Sequence, residues 1–196
     1  MEINIYGYIL SILIVIVIVK YYFNSDLANL NCITSNVDGN KYCVRQRLKQ
    51  ELAADLLATV TQNMKKLVAY MQKTYPTYEN VQRLVKNFNP QTIIENDPED
   101  EHTAYSENKG EKIAFCLNTD KTGDMLIDKN TLTFVAIHEL SHTMTKSIGH
   151  KEEFWNNFKF LLENAVRSHV YTAVDYSKHP VLYCGMTIDE SPLYKK

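Results

Sequence analysis

The chain opens on an uncharged run. Between Glu2 and Lys20 no residue carries a charge, and the run ends in the unbroken apolar stretch Ile12 to Val19. Taken as a helix with Lys20 snorkelling, Ile3 to Phe23 would rise roughly 31 Å, against a hydrocarbon core of about 30 Å. Tyr21, Tyr22 and Phe23 then fall where an aromatic belt would lie. A secretory signal would want a basic start and a small-residue cleavage site, and a buried strand of that length and uniformity would be unusual. The pattern therefore predicts one transmembrane helix over residues 1–23, which makes the lipid bilayer a partner through residues 3–23. The expected location is a membrane, single-pass, with the side of the following domain left open. Residues 24–42, rich in Asn, Asp and Ser, read as a connector. Cys32 and Cys43 bracket its polar end, and both a disulfide and two free thiols fit.

Beyond the connector, residues 43–196 read as one α+β domain. Val44, Leu48, Leu52, Leu56, Val60, Met64, Leu67, Val68 and Met71 recur every three or four residues, which predicts a long amphipathic helix stopped by Pro76. A shorter helical pattern at Val81, Leu84, Val85 and Phe88 closes at Asn89-Pro90. The acidic stretch Glu95 to Glu101 reads as a solvated loop. Lys112 to Leu117 alternates as a strand between two turn signals. Asp128 or Asn130 can cap a helix starting near Thr131, and that helix is apolar around most of its circumference, so it should be buried behind a small mixed sheet. A further helix shows its buried face at Phe154, Phe158, Leu161, Leu162 and Ala165.

Length and charge narrow the function classes. The 196 residues hold one domain and an appendage, not two full catalytic domains. A net charge of -2 supplies no basic excess to draw phosphates, so nucleic acid is not an expected partner. Four Cys are too sparse for a disulfide scaffold, and none form a CxxC pair.

The chemistry sits on the buried helix. His138-Glu139-Leu140-Ser141-His142 has the HExxH spacing, which puts two imidazoles on one helical face where both can reach one zinc ion. Ionisable groups on an otherwise apolar helix would be costly without such a use. After Gly149, which can end the helix and turn the chain, His150 offers the third ligand of a catalytic site. A solvated turn histidine is the plainer alternative for His150. The remaining His102, His169 and His179 read as surface or packing residues.

His138-Glu139-Leu140-Ser141-His142 followed by Gly149-His150-Lys151-Glu152-Glu153-Phe154-Trp155 resembles the zinc-binding signature of the WLM and SprT-like metallopeptidases. The likeness covers about 20 residues and extends loosely to the strand 111–117. It implies a zincin-like domain with His138, His142 and His150 as zinc ligands and Glu139 as catalytic base. Phe154 and Trp155 would pack the following helix against the active-site helix. The gap from His142 to His150 is longer than in the shorter WLM arrangement, and the basic additions of DNA-repair relatives are absent, so their substrate class does not carry over.

The expected activity is zinc-dependent peptide hydrolysis by a zinc-activated water with Glu139 as general base. An extended or unfolded polypeptide could pair with strand 111–117. Tyr171, Tyr176 and Tyr183 are candidate oxyanion donors, and Cys184 a candidate fourth ligand. The rival expectation is a non-enzymatic, membrane-tethered interaction module stabilised by zinc. Glu139 speaks against it, since a purely structural site needs no carboxylate there.

Overall fold

The computed structural model describes residues 5–23 and 30–195, the side chains of 20–23 excepted. Its α+β architecture is organised around the helix that the sequence singles out. Asp128 Oδ1 accepts from the backbone N–H of Asn130 at 2.9 Å and of Thr131 at 3.0 Å, which satisfies two of the donors a helix start leaves open. From there α4 runs Lys129–Met144, with Leu132, Ala136, Ile137, Leu140 and Met144 among its buried residues. Two helices pack on it: α2, Gln50–Thr74, and α5, Glu152–Arg167. The short α3, Glu79–Asn87, closes one end with Val81 and Leu84 buried.

A three-stranded mixed sheet covers the same core. β5, Lys112–Phe115, lies in the middle, parallel to β3, Ile93–Glu95, and antiparallel to β4, Ala104–Glu107. The strand expected to receive a substrate is thus paired on both sides, and the edge strand lying alongside α4 is β4. Two hairpins flank this sheet: β1, Leu30–Thr34, with β2, Lys41–Arg45, and β6, Val181–Tyr183, with β7, Met186–Ile188.

Several expectations need correction. The N-terminal helix α1, Ile5–Phe23, exists, but no helix among the described residues is long and apolar enough to cross a membrane. Within α1 the uncharged residues Ile5 to Val19, which Lys20 closes, would rise about 22 Å, short of a hydrocarbon core of about 30 Å. The transmembrane helix over 1–23, the bilayer as partner through 3–23 and the single-pass membrane location are therefore withdrawn. Residues 24–29 of the expected connector lie outside the described residues, and 30–42 belong to the first hairpin.

The helix expected from Val44 begins at Gln50 instead. Val44 is buried in β2, while Leu48 is 100% exposed in the turn between them. The buried face of α2 uses Ala53, Ala54 and Ala58, small residues that let α4 and the hairpin approach.

Glu95, expected in a solvated loop, is fully buried at the end of β3. Its carboxylate accepts from Arg45 Nε at 2.8 Å, from the Arg45 backbone N–H at 2.7 Å, and from Arg47 Nη2. Arg47 also donates to Asn118 Oδ1 at 2.6 Å. A buried carboxylate is tolerated only when paired and hydrogen-bonded like this.

All four cysteines are paired, Cys32 with Cys43 across the first hairpin and Cys116 with Cys184 across 68 residues. The second bridge ties the β6–β7 hairpin to the end of the central sheet. Cross-linking so long a loop restricts the unfolded chain, so Cys116→Ser combined with Cys184→Ser should cost about 2–4 kcal/mol. Urea denaturation checks this, and a midpoint equal to wild type would remove the bridge from the stabilising interactions.

Candidate metal centre

The four-residue spacing on α4 places His138 and His142 one turn apart on the same face, both half-buried. The chain leaves the helix at Thr145, turns at Gly149 with φ of 77°, and brings the exposed ring of His150 back over them. His150 Nε2 lies 3.1 Å from His138 Nε2 and 3.1 Å from His142 Nε2. Among the described residues these three form a group whose ligand atoms all fall within 4.8 Å of one another. The structure thus gathers the three histidines that the spacing singles out. His102, His169 and His179 are exposed elsewhere.

Phe154 forms the floor. Its ring centroid stands 4.8 Å from that of His138, 4.4 Å from His142 and 4.6 Å from His150. Phe158 adds a second wall against His138 at 5.2 Å. Burial among these rings pushes His138 down to about 3 and His142 down to about 4, with the neighbouring imidazoles adding to the effect and Lys109 contributing at His142. His150 is lowered by burial as well. All three shifts favour neutral imidazole, the state in which its nitrogen can ligate.

Glu139 follows His138 on α4, 3% exposed, and its Oε2 has no hydrogen-bond partner among the described residues. Burial pushes its carboxyl up to about 8. An unpaired buried carboxyl is costly. Three converging neutral nitrogens with an adjacent polarisable acid fit zinc in donor type and number. They leave room in the set for a non-protein fourth partner.

The tyrosine candidates separate. Tyr171 and Tyr176 pack on Phe134, at ring distances of 6.0 and 4.8 Å, one turn before the histidines. Burial pushes the Tyr183 hydroxyl well above its ordinary value, with the charge of Glu139 adding to the effect, and the hydroxyl donates to Thr103 O at 3.3 Å. Cys184 is held by its disulfide and is not a ligand. Lys109, whose charge reaches His142 from the β4–β5 turn, carries no local sequence signal that would mark it as part of the site.

No family model matches the chain, and no solved structure matches it. Three viral proteins are similar in sequence. The uncharacterized protein R325 of Acanthamoeba polyphaga mimivirus is 28% identical over 189 residues, covering 94% of this chain and 95% of that one. The uncharacterized protein 136R of Invertebrate iridescent virus 6 is 36% identical over 61 residues, 31% of this chain and 34% of its own. The uncharacterized protein 042R of Invertebrate iridescent virus 3 is 34% identical over 84 residues, 43% of this chain and 48% of its own.

Proposed function

We propose that the chain is a zinc-dependent peptide hydrolase of the kind its HExxH segment resembles, the WLM and SprT-like metallopeptidases. The observation that carries this reading is Glu139: a carboxyl next to His138 in the chain, buried, and with an oxygen that lacks a hydrogen-bond partner among the described residues, on the helix that supplies two of three converging imidazoles. A site serving structure alone would have no use for that group, and its burial without a partner would only destabilise the fold.

His138, His142 and His150 would hold the metal. Zinc, when bound, supplies a Lewis acid that polarises a scissile carbonyl and makes the attacking water more acidic. Glu139 then takes the water's proton on its free Oε2 and delivers it to the leaving amine. A carboxyl whose burial brings its affinity for protons near neutrality is suited to both halves of that transfer. Phe154 and Phe158 keep water from the protein side of the imidazoles. An extended polypeptide can add to the outer edge of β4, which runs beside α4, so unfolded or loop segments are the favoured substrates.

The test is elemental analysis of the full chain purified without chelator, for wild type and for His150→Ala. About one zinc per chain is expected, with clear loss in the variant. Full retention in the variant would remove His150 from the site, and a folded wild type without zinc would end the reading.

A further inference from the structure

His138 and His142 are fixed by a helix, but His150 is carried by the loop between α4 and α5, so something must hold that loop if three nitrogens are to converge. The loop is clamped at one residue in particular. Ser147 donates its backbone N–H to Glu153 Oε2 at 3.1 Å, and its carbonyl accepts from Lys109 Nζ at 2.6 Å. The preceding Lys146 N–H donates to the other oxygen of Glu153 at 3.0 Å. The two side chains come from different elements. Glu153 lies in the first turn of α5, and Lys109 in the turn between β4 and β5.

That turn has little freedom of its own. Asn108, Lys109 and Gly110 all have positive φ, at 46°, 63° and 111°. A Cβ on Gly110 would fall 2.8 Å from Thr143 Cγ2 and 2.9 Å from the Asn87 carbonyl, so the turn is pressed against the last turn of α4. Its lysine therefore reaches the loop from a fixed base. Further ties close the rest of the loop: Arg83 Nη1 donates to Met144 O at 2.5 Å, and Trp155 Nε1 donates to His150 O at 3.1 Å.

We infer that Lys109 and Glu153 are positioning residues for His150, holding Ser147 at its carbonyl and its N–H respectively and so setting the third imidazole against the other two. The inference rests on the three histidines being a metal site. It adds a link between that site and the sheet: β4, the strand offered to a substrate, ends in the turn that carries the lysine. Second partners of this kind set ligand orientation, and their loss commonly lowers metal affinity about 10- to 100-fold.

The experiment uses the full chain and Co(II) as the probe, with affinity measured by competition against a chelator and geometry by the visible absorption of the bound ion. Lys109→Met and Glu153→Gln should each weaken binding about ten-fold and alter the spectrum, while Lys109→Arg, which keeps a donor, should retain most of the affinity. The deciding step repeats Lys109→Met in a His150→Ala background. A residue acting through His150 causes no further loss of affinity there. An equal loss in both backgrounds would overturn the inference, as would wild-type affinity in both Lys109→Met and Glu153→Gln. A folded wild type that binds no cobalt at all would overturn the metal-site reading itself, and the positioning role with it.

Discussion

Glu139→Gln should lower hydrolysis of an unfolded protein substrate by about 10³-fold, within the range that general acid–base groups contribute, while zinc per chain stays at the wild-type value. Glutamine keeps the shape of the side chain and cannot accept the proton. The same variant has a second signature in stability, measured on chelator-treated protein. The folded carboxyl is raised from its ordinary 4.5 to about 8 by burial. A raised carboxyl supports the fold fully below the unfolded value and loses that support as pH climbs to the folded one. Relative to wild type, Glu139→Gln should thus be little changed near pH 4.5, grow more stable toward pH 8, and level off above it. The gain should reach the order of a few kcal/mol. An active enzyme that the substitution leaves equally fast would falsify the assignment of Glu139. A stability difference that ignores pH would instead show that the carboxyl is not buried as described.

Phe154→Ala should be the most damaging single change to the fold around the site. The ring is fully buried and faces all three imidazoles. Deleting it leaves a cavity where α4, α5 and the loop meet, at a cost of about 3–5 kcal/mol. Zinc content should fall with it, because the imidazoles lose the surface that aligns them. Phe154→Leu fills much of the same space and should cost distinctly less. Urea denaturation of the metal-free protein measures both, and a loss below about 1 kcal/mol for the alanine variant would mean the site collapses onto itself without needing the ring.

The parts of the fold legible in the sequence share one property: their signal is local. The HExxH spacing, the Asp128 cap and the apolar faces of α4 and α5 each depend on neighbours within a turn or two. β3, β6 and β7 are three residues long, too short for alternation to register, and β4 is scarcely longer. The face of α2 is legible at Val60, Met64, Leu67, Val68 and Met71, but not at its start, where the buried positions are three alanines while exposed Leu48 and Leu52 continue the apolar rhythm. Glu95 looked solvated among its acidic neighbours because both arginines that neutralise it lie about fifty positions earlier in the chain. The Cys116–Cys184 pairing could not be singled out among the connectivities that four cysteines allow. For the site, the histidines and the carboxylate were readable, and the grip of Lys109 and Glu153 on Ser147 was not, since it depends on which turn ends beside which loop.

The buried trio of Glu95, Arg45 and Arg47 has a practical consequence for anyone trimming this protein. The first hairpin resembles a detachable N-terminal extension in the sequence, yet it delivers Arg45 and the backbone N–H that together cover one carboxylate at the base of the sheet. A fragment starting at residue 48 would remove both guanidiniums and strand a lone acid in a dry interior, a far worse defect than the loss of a few surface contacts. Shortened versions should therefore begin no later than Leu30, and an insoluble shorter fragment would report a missing countercharge rather than a misassigned catalytic domain.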